Sequence, residues 1–324
     1  MNITDNDAEE FHANDGNPYW NESAWFSFQV PERELNGWVY FWHRPNMGAS
    51  FGGLCLWDAS SANAMDCVYF DWDLHPFSAA KGMHDFAWQN SLTAQCIKPL
   101  DQYRFTYENS YCRASLNWKA FMPPHASNFS KKSYGDFGNG HYDQGGRMKG
   151  TIALPFETIE IDCLSLSDRS WGPRQQSSNP RVNYSWAVAS ETSSFCLGAM
   201  GTHPNDNDPV IGTTERICFG HVMKDGVFAD VFAGERRVVE RGEDGRPLKL
   251  TLQCADELGR EFSAKGTCVA WLRFPGLTFI AYWWSMVKWE FDGQVAYGEE
   301  QEGWAMQDYR RYRRPQMPLA SKST

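Results

Sequence analysis

Between residues 141 and 174 the chain gathers side chains that can move protons and hold a developing charge. His141-Tyr142-Asp143-Gln144-Gly145-Gly146-Arg147 brings an imidazole, a carboxylate and a guanidinium together. Asp168-Arg169-Ser170-Trp171-Gly172-Pro173-Arg174 brings a second carboxylate, two more arginines and an indole. In an extended segment His141 and Asp143 share a face, so they can act as a base and the group that orients it, or as a structural hydrogen-bonded pair. Asp168 has two readings. In an apolar, ring-lined pocket its carboxyl would be held neutral and could protonate a substrate carbon. Locked to Arg169, Arg174 or Arg147 it would instead be an ion pair pinning a strand end. Tyr142, Gln144, Arg147, Arg169 and Arg174 are candidate positioning groups, with Tyr184 after the stretch and Glu22 and Arg44 well before it. Trp171 can lay a π face over an apolar or cationic substrate, or fill the space between two sheets.

These residues need strands to hold them. Lys149 to Leu154 and Thr158 to Leu164 alternate as strands, the second running into a Trp-Gly-Pro-Arg turn. The same motif, His-x-Asp-Gln followed by a Gly-Thr strand and Asp-Arg-Ser-Trp-Gly-Pro-Arg, resembles the hydroxyneurosporene synthase (carotenoid 1,2-hydratase) superfamily and its AttH-like relatives. Trp20-Asn21-Glu22-Ser23 and Arg44-Pro45-Asn46 extend the likeness into the first half, while Ser165-Leu166-Ser167 departs from the usual Gly-His/Tyr-Arg. The resemblance implies two lipocalin-like β-domains in tandem and, for Asp168, a part in protonation. It further implies hydratase or cyclase chemistry on terpenoid chains with no external cofactor.

Composition points the same way on its own. Aromatic residues make up 15% of the 324, an excess that suits strands and apolar pockets. The net charge of −10 argues against nucleic acid and anionic membranes as partners. No apolar run is long enough to cross a bilayer as a helix. The polar, acidic Met1 to Asp15 does not read as a secretory signal, and nine cysteines without a Cys-x-x-Cys pair read as reduced thiols. A cytoplasmic location is therefore expected. Cys163, alternating with Ile161, reads as core rather than nucleophile.

Elsewhere the chain reads as short strands and hairpins. Trp25 to Val30 and Trp38 to Trp42 flank a turn, Tyr103 to Glu108 alternates ring and polar residue, and Leu248, Leu250 and Leu252 share a face. Asp225-Gly226, Asp244-Gly245 and Leu258-Gly259 are turns. Ser127 to Gly140 reads as a linker, Asp85 to Ile97 as the best short helix, and the basic Asp308 to Arg314 as a solvated tail. The expected fold is all-β, two tandem lipocalin-like antiparallel barrels or sandwiches with under about a fifth helix. The expected domains are residues 1–139 and 140–324, with the site near their interface.

The expected function is a cofactor- and metal-independent lyase or isomerase of hydratase, dehydratase or cyclase type. It would act by general acid–base catalysis, through Asp168, His141 and Asp143, on a hydrophobic terpenoid, steroid or aromatic small molecule. One alternative is a non-catalytic binder of hydrophobic ligands. The other is a non-haem iron oxygenase using His141, Asp143 and a distal His203 or His221; Asp71, Asp73 and His75 form a similar alternating trio, read as an exposed strand face. A hydrophobic small molecule is the expected partner, with homodimer formation left open and no integral membrane association.

Overall fold

The structure is a computed structural model, described for residues 2–78, 82–126, 139–174, 181–201, 214–276 and 280–314. Alternation of buried and exposed residues builds two antiparallel sheets. In the first, β1 (Trp20–Val30), β2 (Leu35–Arg44) and β3 (Ala49–Trp57) form a meander, with β4 (Tyr69–Phe70) and β5 (Asp73–Pro76) both on the far side of β3. A second meander runs through β6 (Asp85–Ala87), β7 (Thr93–Lys98), β8 (Gln102–Glu108) and β9 (Arg113–Ala120). Two long strands join the meanders: β11 (Gly140–Leu154) pairs with β9, and β12 (Glu157–Pro173) pairs with β11 and with β1. The two-residue β10 (His125–Ala126) adds to β11. This sheet curls into a half-barrel whose ends do not meet.

The second sheet holds β13 (Val182–Ser190), β14 (Ser193–Met200), β15 (Thr214–Lys224), β16 (Val227–Asp230) and β17 (Gly234–Arg241), then β18 (Pro247–Ala255), β19 (Glu261–Arg273), β20 (Ile280–Phe291) and β21 (Gln294–Ala305). Pairing of β14 with both β13 and β15 closes eight of these into a barrel. Helix is 8% of the chain, below the expected fifth. It includes α1 (Asp5–Glu9), capped by Thr4, and α2 (Met306–Arg313), where a solvated tail was expected. The all-β expectation holds. The helix expected over 85–97 is instead β6, a turn and β7, because Phe86 and Ala94 pair across that turn and Phe86 and Leu92 pack into the first core. The linker expected at 127–140 lies almost wholly outside the described residues.

Two corrections concern the motif. Residues 140–173 complete the first sheet and do not open a second domain, because β11 and β12 are the strands that bridge its two meanders. The expected turn at Trp171 to Arg174 is strand as far as Pro173, held straight by pairing with Trp20, Asn21 and Glu22 on β1. Inside the bridge Gly150 has φ 154°, and a Cβ there would lie 1.9 Å from the Ser115 carbonyl oxygen. Only glycine lets β11 and β9 approach so closely.

Each sheet has its own core, and a third core lies between them. Trp25, Trp38, Trp57 and Leu166 from the first sheet pack there against Trp186, Leu272, Phe274, Trp284 and Met286 from the second. The tryptophans come from β1, β2, β3, β13 and β20, and Phe274 follows β19. One face of each sheet is therefore aromatic and turned toward the other.

Candidate active site

Strand alternation sorts the motif residues onto two faces. Asp143 on β11 stands directly opposite Asp168 on β12, which stands opposite Trp25 on β1, itself opposite Tyr40 on β2. Residues opposed in this way share a face, here the one turned toward the second sheet. His141 and Ser170 form the next row. Tyr142, Gln144, Arg169, Trp171 and Glu22 point the other way, into the half-barrel.

The inter-sheet face carries the chemistry. His141 Nε2 lies 2.9 Å from Asp143 Oδ1, and the Tyr184 hydroxyl, reaching across from β13, donates to the same oxygen. Burial works against charge on all three. Even so, His141 holds the Asp143 carboxyl down at about 2, and Asp143 in return keeps His141 above its ordinary value. Asp168 behaves oppositely. Burial, reinforced by the Asp143 charge, pushes its carboxyl up to about 6 against the pull of His141, Arg174 and Arg169. Its Oδ1 has no hydrogen-bond partner among the described residues.

The ion-pair alternative for Asp168 fails because each arginine is engaged elsewhere. Arg169 is buried and binds Glu22 at 2.6 Å; Arg147 binds the exposed Asp162; Arg174 donates to Ser170 Oγ and reaches the Tyr40 hydroxyl. Arg44 lies along the rim of the same face, 5.8 Å above the Trp42 ring, where burial and the Arg174 charge lower its pKa. Asp168 opens on a cavity of about 50 Å³ between the sheets, lined by Trp25, Tyr40, Phe274, Tyr282, Trp284 and Gln301.

The expected positioning residues on the opposite face do other work. Glu22, buried with Arg169, also accepts from Trp20 Nε1 and from the His12 backbone. Trp171 stacks on His12 at 4.0 Å, so it neither covers Asp168 nor fills the space between the sheets. Gln144 donates to the Leu100 and Met122 carbonyls. Together with Ala8 and Tyr142 these residues seal the end of the half-barrel under the N-terminal segment. Cys163 packs against the first core, where burial pushes its thiol up to about 12, as a core residue rather than a nucleophile.

Beyond Tyr184, sequence reasoning missed the second sheet's contribution. The Tyr282 hydroxyl donates to Gln301 Oε1 at 2.8 Å, Gln301 Nε2 donates to Glu299 at 3.2 Å, and Glu299 accepts from Asn36 of the first sheet at 2.7 Å. Burial raises the Glu299 carboxyl to about 8 against all of these donors. Near the His141 pair lies His221, buried and held to about 3 by burial and by His125, whose ring is 4.4 Å away. Alternating rings at Trp38-Tyr40-Trp42 and Tyr282-Trp284 were the available signal for a shared aromatic face. Glu299 had none, since a Gly-Glu-Glu-Gln-Glu run reads as exposed. Among the described residues no three His, Cys, Asp or Glu side chains are grouped to hold a metal, and His203 lies outside them. No helix among them is long and apolar enough to cross a membrane.

A family model described as domain of unknown function DUF7064 matches residues 5–304. No curated protein matches significantly in sequence. Solved structures with this fold include an AttH-type protein from Nitrosomonas europaea, at TM-score 0.59 and 13% identity over 87% of this chain and 90% of that one. Kievitone hydratase from Nectria haematococca aligns at TM-score 0.52 and 11% identity, covering 88% and 87%. CghA with Sch210972 aligns at TM-score 0.56 and 10% identity, covering 88% of each. The fold is thus that of the AttH-like proteins.

Proposed function

We propose that this chain, which belongs to the DUF7064 family, is a lyase or isomerase of hydratase, dehydratase or cyclase type acting on a hydrophobic small molecule between its two sheets. One observation carries the reading: Asp168 is a largely buried carboxyl with no ion pair among the described residues, raised to about 6, facing a ring-lined cavity. A carboxyl in that state is a general acid near neutral pH. It would deliver its proton to a carbon–carbon double bond, the π pair forming the new C–H bond. The faces of Trp25 and Trp284 would attenuate the cation left on the neighbouring carbon. Capture of that cation by water, with the extra proton passing back to the Asp168 carboxylate, gives hydration; capture by a second double bond, followed by loss of a proton from the new cation, gives ring closure; and direct proton loss gives isomerisation. His141, whose affinity for a proton Asp143 raises, sits on the next row and is placed to tune Asp168 or return its proton. That one protein of this fold is a hydratase supports the water-adding version. The cavity is far smaller than the several hundred Å³ a drug-sized ligand fills, so substrate entry requires the lining rings to turn aside.

The test is a panel of terpenoid, steroid and aromatic alkenes incubated in D₂O, with deuterium at carbon as the readout. Asp168→Asn keeps the shape and removes the proton, so label transfer should fall by roughly 10²–10⁴ with the fold intact. Undiminished transfer by the folded variant would end the assignment. Ligand retention without turnover by either protein would favour the non-catalytic binder.

A further inference from the structure

The first sheet fails to close, and the gap has a built interior. β5 and β6 are its free edges and do not pair with each other. On the inner face of β2, β3 and β5, His43, Ser50 and His75 form one cross-strand row, each more than nine-tenths buried. Phe86 of β6 and Trp88 just beyond it face that row across the gap. These residues together line a cavity of about 490 Å³, with Asp85 at its exposed rim. His75 is thus buried, not part of an exposed strand face.

Four features define what this cavity takes. Its size falls in the range of small-molecule sites. Its wall is a ladder of flat rings: Phe86 stacks on Trp88 at 4.0 Å, and Trp88 on His75 at 4.4 Å. Its two imidazoles are neutral, since burial drives His43 down to about 3 and lowers His75 as well. Finally, His43 Nδ1 is held by Ser50 Oγ at 2.8 Å, but His75 Nε2 has no hydrogen-bond partner among the described residues. A neutral imidazole nitrogen accepts from a hydroxyl. Among the described residues Asp85 is the only other ionisable group lining the cavity, and two neutral imidazoles give an anion no positive charge to bind.

We infer that the gap between β5 and β6 is a second binding site, for a flat, uncharged aromatic molecule of two or three rings whose hydroxyl donates to His75. Its wall belongs to the inner face of β2, the face opposite Tyr40, so this site does not depend on the inter-sheet reading. The probe set is 2-naphthol, naphthalene and 2-naphthoate, titrated calorimetrically at pH 7. 2-Naphthol should bind one to one, naphthalene roughly five- to tenfold more weakly for want of the hydrogen bond, and the anion more weakly still. His75→Leu should bring 2-naphthol to the level of naphthalene. Ala87→Trp, an exposed substitution at the mouth that spares the core, should block both neutral probes. Asp168→Asn should bind all three as the parent does. Binding unaffected by Ala87→Trp, or lost in Asp168→Asn, would place the probe between the sheets and overturn the site. Equal affinity for naphthol and naphthalene, or preference for the anion, would overturn the ligand class.

Discussion

Asp143 and Asp168 face each other across two strands, yet their partners drive them apart in pKa. The paired one stays ionised at all ordinary pH; the unpaired one takes up its proton near pH 6. Stability should follow. A carboxyl raised in the folded state stabilises fully below its unfolded value near 4, and that contribution is lost as pH rises through 6. Asp168→Asn removes this loss and should stabilise the protein at pH 7.5 by on the order of 2 kcal/mol, with little gain at pH 4. The His141–Asp143 pair has the opposite acid limb. Asp143 contributes above about pH 4 and loses its contribution as pH falls toward 2. His141 contributes below 6.5 and loses it as pH rises through its raised value. His141→Ala should therefore cost most between about pH 4 and 6.5. Denaturant melts of both variants across pH 4–8 decide the matter, and a pH-independent Asp168→Asn effect would refute the raised carboxyl.

β12 is the element that positions the candidate site, by serving two compartments at once. Its even positions give Leu166, Asp168 and Ser170 to the inter-sheet face; its odd ones give Arg169 and Trp171 to the half-barrel end. The buried Arg169–Glu22 pair anchors the N-terminal segment there, with Arg169 also reaching the Ala8 and Glu10 carbonyls. Glu22→Leu leaves Arg169 charged, buried and uncompensated, so it should cost about 3–5 kcal/mol. A loss under 1 kcal/mol in urea melts would mean that the anchor is not needed. The element also shows what the sequence made legible. The period of two set His141 and Asp143 on one face, and the pairing of β11 with β12 places Asp168 opposite Asp143. Glycine and proline at 172–173 read as a turn, because the pairing with β1 that keeps them extended is long-range. For the same reason the boundary drawn at 140 cut through the first sheet. Tyr282, Gln301 and Glu299 come from strands more than a hundred residues away, and no local pattern ties them to Asp168.

At the scale of the whole molecule, the site exists only while the two sheets stay packed. Asn36 to Glu299, Tyr184 to Asp143 and His125 to Asp230 are polar bonds that cross between them, around five tryptophans that are at most 3% exposed. Exposing those rings would cost several kcal/mol, so neither sheet is stable with its aromatic face open to water. Half-barrel and barrel should therefore unfold in one transition, seen together by far-UV and near-UV signals. Trp284 is the sharpest probe. It belongs to the second sheet, yet it packs against Trp25, Trp38 and Trp57 of the first and donates to Glu299. Trp284→Ala should cost about 3–5 kcal/mol by leaving a cavity and an undonated carboxyl. Amide exchange in that variant locates the loss. Protection should fall on β1 and β2 as much as on β20 and β21, because the cavity opens onto both sheets. Loss confined to the second sheet would mean that the half-barrel stands without its partner, and that the candidate site lies between two independent bodies.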